Sequence, residues 1–181
     1  MCLECDRNLT CARDYGVLMA TTLILMRHGK SAYPDGVDDH ARPLAPRGER
    51  EAGLAGDWLR AVMPPIDAVR CSTAQRTRQT LAATGISAPV DYTDDIYEAN
   101  PHTLIELFQL TDDAIDTLLV VGHVPGIPWT AWELAANRES DQATELSRKF
   151  PTSALAVLEF NRPWAQLGPG MGELTRFHVP R

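Results

Sequence analysis

Short apolar runs alternate with amphipathic stretches along most of the chain. The most apolar runs, residues 23–26 and 118–121, end abruptly in polar residues and glycine. Such runs are typical of strands that are buried on both faces of a parallel sheet. We therefore predict strands over residues 21–26 and 118–122. Shorter strands are predicted over residues 66–71, 89–92, 154–160 and 174–179.

Between these strands, apolar residues recur at the spacing of a helix. The spacing predicts helices over residues 47–62, from Ser72 or Thr73 to about residue 83, from Asn100 onward, from Pro125 to about residue 136, and over residues 140–149. Ser72 or Thr73 is expected to cap the second helix, and Asn100 the third. Strands that alternate with helices indicate an α/β fold, namely a three-layer αβα sandwich around a mainly parallel sheet.

Length and charge narrow the possible functions. The 181 residues are enough for one domain with its own core, which we place at residues 21–181 after a disordered leader over residues 1–20. The net charge of −7 argues against nucleic-acid and anionic-membrane partners. No stretch is apolar enough for a membrane span, and the first residues lack the apolar core of a secretory signal. We expect a cytoplasmic protein.

Three of the four cysteines, Cys2, Cys5 and Cys11, lie in the predicted leader. A Cys-x-x-Cys spacing can begin a zinc site, but no further ligands follow at finger-like spacing. We therefore expect no metal, and the segment can equally be an extension before a true start at Met19. Cys71 ends a predicted strand and is expected to be a small core residue.

Chemistry-bearing residues follow two of the predicted strands, at the sheet edge where α/β proteins bind ligands. Arg27, His28 and Gly29 follow the first strand, and His123 follows the strand over residues 118–122. Guanidinium groups suit phosphate, and a neutral imidazole can form a covalent phosphoenzyme. Gly29 is expected to let the backbone approach the ligand. His123 is expected to stabilise charge on a transferred phosphoryl group.

The segment after the strand over residues 66–71 adds a further basic group. Arg76 lies in the first turn of the predicted second helix, where side chains lean toward the helix N-terminus and an anion is favoured. Arg78 lies on another side of that helix and is expected to face solvent. Each residue alone has a structural explanation, but together they predict a phosphate site at one sheet edge.

At this point the chain resembles the histidine phosphatase (phosphoglycerate mutase-like) superfamily. Within it, the chain is most similar to the bacterial phosphohistidine phosphatases of the SixA type. The matching stretches follow one another in family order at residues 25–31 (LMRHGKS), 42–48 (RPLAPRG), 71–80 (CSTAQRTRQT), 96–99 (IYEA), 121–126 (VGHVPG) and 151–154 (PTSA), with the tail around Trp164 and Pro169.

The resemblance implies a phosphoglycerate mutase-like fold and a mechanism without metal or other cofactor. His28 would attack phosphorus and become phosphohistidine, while Arg27, Arg76 and His123 bind the phosphoryl oxygens. The general acid is open: Glu98 can protonate the leaving group or be a surface carboxylate. Ser31 can touch substrate, and Arg42 can line the pocket or pin its loop.

The favoured substrate is a phosphorylated protein, specifically phosphohistidine, because a chain this short lacks room for a large lid over the pocket. The alternatives are a small-molecule phosphomonoesterase that acts on a sugar phosphate or nucleotide, and a non-catalytic phosphate-binding module. A mutase is disfavoured because it must enclose its intermediate. The oligomeric state stays open.

Overall fold

The structure is a computed structural model that describes residues 21–181. The predicted leader, with its three cysteines and Met19, lies outside these residues. The described elements are β1 (Thr21–Arg27), α1 (Pro46–Val62), β2 (Ala68–Ser72), α2 (Gln75–Thr84), β3 (Val90–Thr93), α3 (Pro101–Gln109), β4 (Thr117–Gly122), α4 (Gly126–Leu134), α5 (Asp141–Arg148), β5 (Leu155–Phe160) and β6 (Glu173–His178).

The six strands form one sheet in the order β3-β2-β4-β1-β5-β6. The pairs β3–β2, β2–β4 and β4–β1 are parallel, whereas β5 runs antiparallel to both β1 and β6. The α/β fold class and the mainly parallel sheet are therefore confirmed. β1 and β4 lie at the centre, which explains why their sequences are apolar without alternation.

The side chains of β1 divide between two layers of core. Leu23 and Leu25 pack with α3, α4 and α5 on one face of the sheet. Ile24 and Met26 pack with α1 and α2 on the other face. Cys71 is fully buried in this second layer, as expected, and burial raises the pKa of its thiol to about 12. Helices cover both faces, which gives the predicted three layers.

Two helix ends differ from the predictions. The N-cap of α2 is Ala74 and makes no side-chain cap hydrogen bond, so the expected cap at Ser72 or Thr73 is wrong. β2 extends through Ser72, and the chain needs the next two residues to turn into the helix. α4 ends at Leu134 because the N–H of Ala136 donates to the carbonyl of Gly172 at 2.7 Å.

Other boundary signals behave as their chemistry predicts. The Asn100 side chain accepts from the N–H of Thr103, with Pro101 in the first turn of α3. Gly85 ends α2 with a φ of 66°, a left-handed conformation that glycine adopts without strain. Within residues 21–181, no helix combines the length and apolar character needed to cross a membrane.

Candidate active site

The candidate site lies at the carboxyl edge of the sheet, where β2, β4 and β1 are neighbours. His28 follows β1 directly, and His123 follows β4 directly. The N–H of His28 donates to the carbonyl of Gly122 at 2.9 Å, which fixes the two strand ends against each other. The imidazole centroids of His28 and His123 are 5.2 Å apart. The structure therefore brings together two histidines that are distant in the sequence.

The surroundings of His28 determine its tautomer and its charge. Its Nδ1 lies 2.7 Å from the carbonyl oxygen of Gly29. Because a carbonyl only accepts hydrogen bonds, Nδ1 carries the proton and Nε2 keeps a lone pair. Burial lowers the pKa of His28 from 6.5 to about 4; the bond to Gly29 opposes the shift, and the charge of Arg76 adds to it. His28 is therefore neutral at physiological pH, with Nε2 available as a nucleophile.

His123 is only 6% exposed and is held from β2. Its Nε2 lies 2.9 Å from the hydroxyl oxygen of Ser72. Burial, followed by the neighbouring His28 and Arg76, lowers the pKa of His123 to about 3. Its Nδ1 is buried without a hydrogen-bond partner among the described residues. A buried ring nitrogen without a partner is the kind of group that a ligand satisfies.

Two arginines contribute positive charge to the site. Arg27 donates from Nη1 to the carbonyl of Phe150 at 2.8 Å, and burial lowers the pKa of its guanidinium. Arg76, which is 5% exposed, donates from both terminal nitrogens to Asp39. The Nε atoms of Arg27 and Arg76 are buried without a partner among residues 21–181. Both guanidinium groups therefore retain donors for an anion.

Asp39 is a component of the site that the sequence analysis missed. It lies in a 3₁₀ turn over Asp39–Ala41, within the connection between β1 and α1. The hydroxyl of Tyr97 donates to its carboxylate at 2.7 Å, and Arg42 Nε does so at 2.9 Å. The Tyr97 hydrogen bond is the main cause that lowers the pKa of Asp39 to about 2, and Arg76 and Arg42 add to it. The only signal in the sequence was its position three residues before Arg42.

Gly29 has a different purpose from the expected one. A Cβ on Gly29 would lie 2.8 Å from the carbonyl oxygen of Gly48, so the close approach is to α1. The Gly29 N–H donates to the hydroxyl of Thr80 at 2.8 Å and is not free for an anion. The prediction that Gly29 makes room for a ligand is therefore wrong, because helix packing occupies that space.

The remaining candidate residues lie around this centre. Ser31 is buried, and its hydroxyl accepts from Arg42 Nη1 at 3.2 Å. Arg42 also pairs with Asp39, so it holds the β1–α1 connection to itself. Glu98 is exposed, has a φ of 55°, and makes no hydrogen bond or ion pair with any residue in the described range. Its predicted role stays a prediction.

Arg78 and His40 illustrate the periphery of the site. Arg78 is exposed, as expected, and lies over the ring of Tyr92. His40 is also exposed, but it is closer to the site than its sequence setting indicated. Its Nε2 lies 3.0 Å from the hydroxyl of Thr73, and its ring meets that of Tyr97 at 5.1 Å.

A surface groove of about 380 Å³ opens beside Arg27, between α4 and α5. It is lined by apolar and aromatic side chains with basic groups, namely Arg27, Val124, Pro128, Trp129, Trp132, Leu146, Ser147, Lys149 and Phe150. Trp129 is 63% exposed and Val124 is 44% exposed. An exposed apolar patch of this kind, next to a candidate catalytic centre, is typical of a surface that contacts a partner or substrate.

Comparison with known proteins supports the interpretation of this site. The family model described as Histidine phosphatase superfamily (branch 1) matches residues 23–108. A structure from Nakamurella multipartitia, assigned as phosphohistidine phosphatase SixA, is 44% identical over 89% of this chain and 96% of that chain, with a TM-score of 0.82. The chain belongs to the histidine phosphatase superfamily.

Further relatives of this histidine phosphatase give the same assignment. A structure of the protein histidine phosphatase SixA complexed with tungstate is 26% identical over 88% of this chain and 97% of that chain, with a TM-score of 0.70. An uncharacterised protein from Mycobacterium tuberculosis is 56% identical over 86% of this chain and 100% of its own length. The protein is a phosphatase of the SixA type with a phosphoglycerate mutase-like fold.

Proposed function

We propose that this phosphatase works through a covalent phosphohistidine on His28. The observation that carries the proposal is the neutral imidazole of His28, whose unprotonated Nε2 shares a small region with His123 and Arg76. A lone pair in this setting is a nucleophile, and the buried donors around it are the groups that a phosphoryl oxygen requires.

The reaction divides into two displacements at phosphorus. In the first, Nε2 of His28 forms a bond to phosphorus, and the bond from phosphorus to the leaving group breaks. The leaving group takes that electron pair and acquires a proton. In the second, water attacks phosphorus, the nitrogen–phosphorus bond breaks, and His28 regains its lone pair as inorganic phosphate departs. No metal or other cofactor enters this scheme, as the family resemblance implied.

His123 and the two arginines supply the electrostatic part of the mechanism. The Ser72 hydroxyl can donate to Nε2 of His123, which places the proton of the neutral ring on Nδ1. Nδ1–H, together with the Nε–H groups of Arg27 and Arg76, then donates to the phosphoryl oxygens. Catalysis of phosphoryl transfer depends mainly on positioning and charge stabilisation of this kind.

Protonation of the leaving group is assigned to Glu98 as the candidate general acid. Asp39 is less suited to this role, because Tyr97 and the arginines hold its pKa at about 2 and keep it ionised. Glu98 is adjacent to Tyr97 in the chain, at the rim of the site, and its carboxyl group is free of hydrogen bonds to the described residues. Ser31 and Arg42 are assigned supporting roles in the β1–α1 connection.

For the substrate, we propose phosphohistidine on a protein. The groove beside Arg27 supports this choice, because its exposed Trp129 and Val124 offer contact area to a macromolecule. One of the similar structures is that of a protein histidine phosphatase. A sugar phosphate or nucleotide is the second candidate, since the same anion site would accept any phosphomonoester. A non-catalytic phosphate-binding module is the third.

Chemical trapping tests the covalent step. Brief exposure of the wild type to a phosphorylated donor peptide should leave an acid-labile phosphate on the protein, and His28→Ala should lack both this label and turnover. His102→Ala is the matched control, because His102 is exposed on α3 and pairs only with Glu106. Unchanged turnover in His28→Ala contradicts the proposal. A bound but unreacted donor in the wild type would favour the binding module.

A further inference from the structure

Asp39 joins three segments of the chain that meet at the candidate site. Its main-chain carbonyl accepts from Arg76 Nη1 at 2.6 Å, and its carboxylate accepts from Arg76 Nη2 at 3.0 Å. The carboxylate also accepts from Arg42 at 2.9 Å and from Tyr97 at 2.7 Å. One residue of the β1–α1 connection therefore holds groups from α2 and from the loop before α3.

This arrangement restricts what Arg76 can offer to a ligand. A guanidinium presents its N–H donors in a rigid planar fork, so fixing its two terminal nitrogens fixes the plane of the whole group. Both terminal nitrogens donate to Asp39, whereas Nε is buried without a partner among the described residues. The donor left for an anion is thus on the Nε edge of the fork.

We propose that Asp39 is a positioning residue, which holds the guanidinium of Arg76 with its Nε edge turned toward the phosphoryl group. The inference rests on the proposed function, because Arg76 is the group through which Asp39 acts. Tyr97 and Arg42 complete the device: each binds the Asp39 carboxylate, and neither competes for Nε of Arg76. The ring of Tyr97 also lies edge-on to His123 at 5.2 Å, so the same tyrosine packs against both parts of the anion site.

The charge of Asp39 is needed for this role. Its carboxylate lies between two guanidinium groups, and the pKa of about 2 means that it remains ionised across the physiological range. A charged acceptor makes a stronger hydrogen bond to arginine than a neutral one does. An asparagine has one acceptor oxygen, so it can serve the Arg76 and Tyr97 side or the Arg42 side, but not both.

A competing explanation is that Asp39 occupies the position of the substrate phosphate and must leave before substrate binds. The two explanations make opposite predictions for inorganic phosphate, which inhibits as product. If Asp39 positions Arg76, Asp39→Ala should weaken phosphate inhibition and lower kcat by about 10²-fold, the cost of a small misplacement of a reacting group. If Asp39 only occupies the site, the variant should bind phosphate more tightly.

The experiment is a double-mutant cycle of Asp39→Ala and Arg76→Ala, with kcat, KM and the inhibition constant of inorganic phosphate measured for each protein. Residues that act through one another give non-additive losses. Asp39→Ala should therefore cost about 10²-fold in the wild-type background and little once Arg76 is absent. Asp39→Asn should fall between Asp39→Ala and the wild type. Equal losses in both backgrounds, or tighter phosphate inhibition, would overturn the inference.

Two further proteins separate this inference from its neighbours. Asp38→Asn is the matched control, because Asp38 is exposed next to Asp39 and its side chain makes no cap hydrogen bond; it should keep wild-type kcat. Thermal unfolding of every variant identifies any loss that comes from the fold. His28→Ala tests the proposed function itself. An inactive His28→Ala beside a fully active Asp39→Ala refutes the positioning role alone.

Discussion

The two histidines of the site should remain neutral far into the acid range. Burial is the main cause that lowers the pKa of His28 to about 4 and that of His123 to about 3. At pH 5.5 an ordinary histidine with a pKa of about 6.5 is roughly 90% protonated, whereas His28 should be about 3% protonated. The difference corresponds to about 3 kcal/mol that disfavours the imidazolium form of His28.

The same shifts link protonation to folding. Between about pH 6.5 and pH 4 the unfolded chain binds protons at both positions, whereas the folded protein does not. The free energy of unfolding should therefore fall as the pH is lowered through this window, by up to about 3 kcal/mol per pH unit from the two groups together. Above pH 6.5 both states carry neutral imidazoles, and this contribution is constant.

Long-range ¹H–¹⁵N NMR spectra of the imidazoles provide the assay. Titration in a buffer without phosphate gives each pKa, and the nitrogen shifts give each tautomer. We expect Nδ1–H on both rings, with assignments from His28→Ala and His123→Ala. Reported values are those of the coupled pair if the two titrations interact. A His28 resonance that titrates near 6.5, or that carries its proton on Nε2, would refute the account of the nucleophile.

Three other substitutions test separate parts of the site. Ser72→Ala should lower kcat about tenfold with little change in KM, because it removes one hydrogen bond that orients His123; steady-state kinetics and thermal unfolding check this, and an unchanged kcat speaks against it. Glu98→Gln should lower turnover of alkyl phosphates by about 10²-fold and affect phosphoramidates much less, because a protonated phosphoramidate leaves easily. Equal effects on both substrates would remove Glu98 as the acid. Trp129→Ala should lower kcat/KM about tenfold for a phosphohistidine protein and little for a small monoester. Leu110→Ala, exposed at the end of α3, is its control, and a similar loss on both substrates would exclude a docking role for the groove.

Local signals in the sequence account for most of the framework. The apolar runs of β1 and β4 are long enough to identify buried strands, and Asn100 with Pro101 marks the start of α3. The prediction was wrong where a distant segment intervened. Ser72 was expected to cap α2, but its hydroxyl instead lies against His123, which only the pairing of β2 with β4 brings near.

Gly29 and Asp39 show the same limit within the site itself. Gly29 is required by the backbone of Gly48, a neighbour that no local pattern around Gly29 identifies. Asp39 has the composition of an ordinary polar loop residue, and its importance comes entirely from contacts with Arg76 and Tyr97. Residues in irregular connections lack the periodicity from which sequence predictions derive their information.

The sequence by itself determined the layers of the fold and the edge of the sheet to which His28 and His123 belong. It could do so because strand burial and strand ends leave a local mark, and parallel strands deliver their carboxyl ends to one side. Only the tertiary structure decided which nitrogen of His28 is free, which hydroxyl holds His123, and which carboxylate orients Arg76. Those properties depend on single hydrogen bonds between distant segments, and such bonds leave no pattern along the chain.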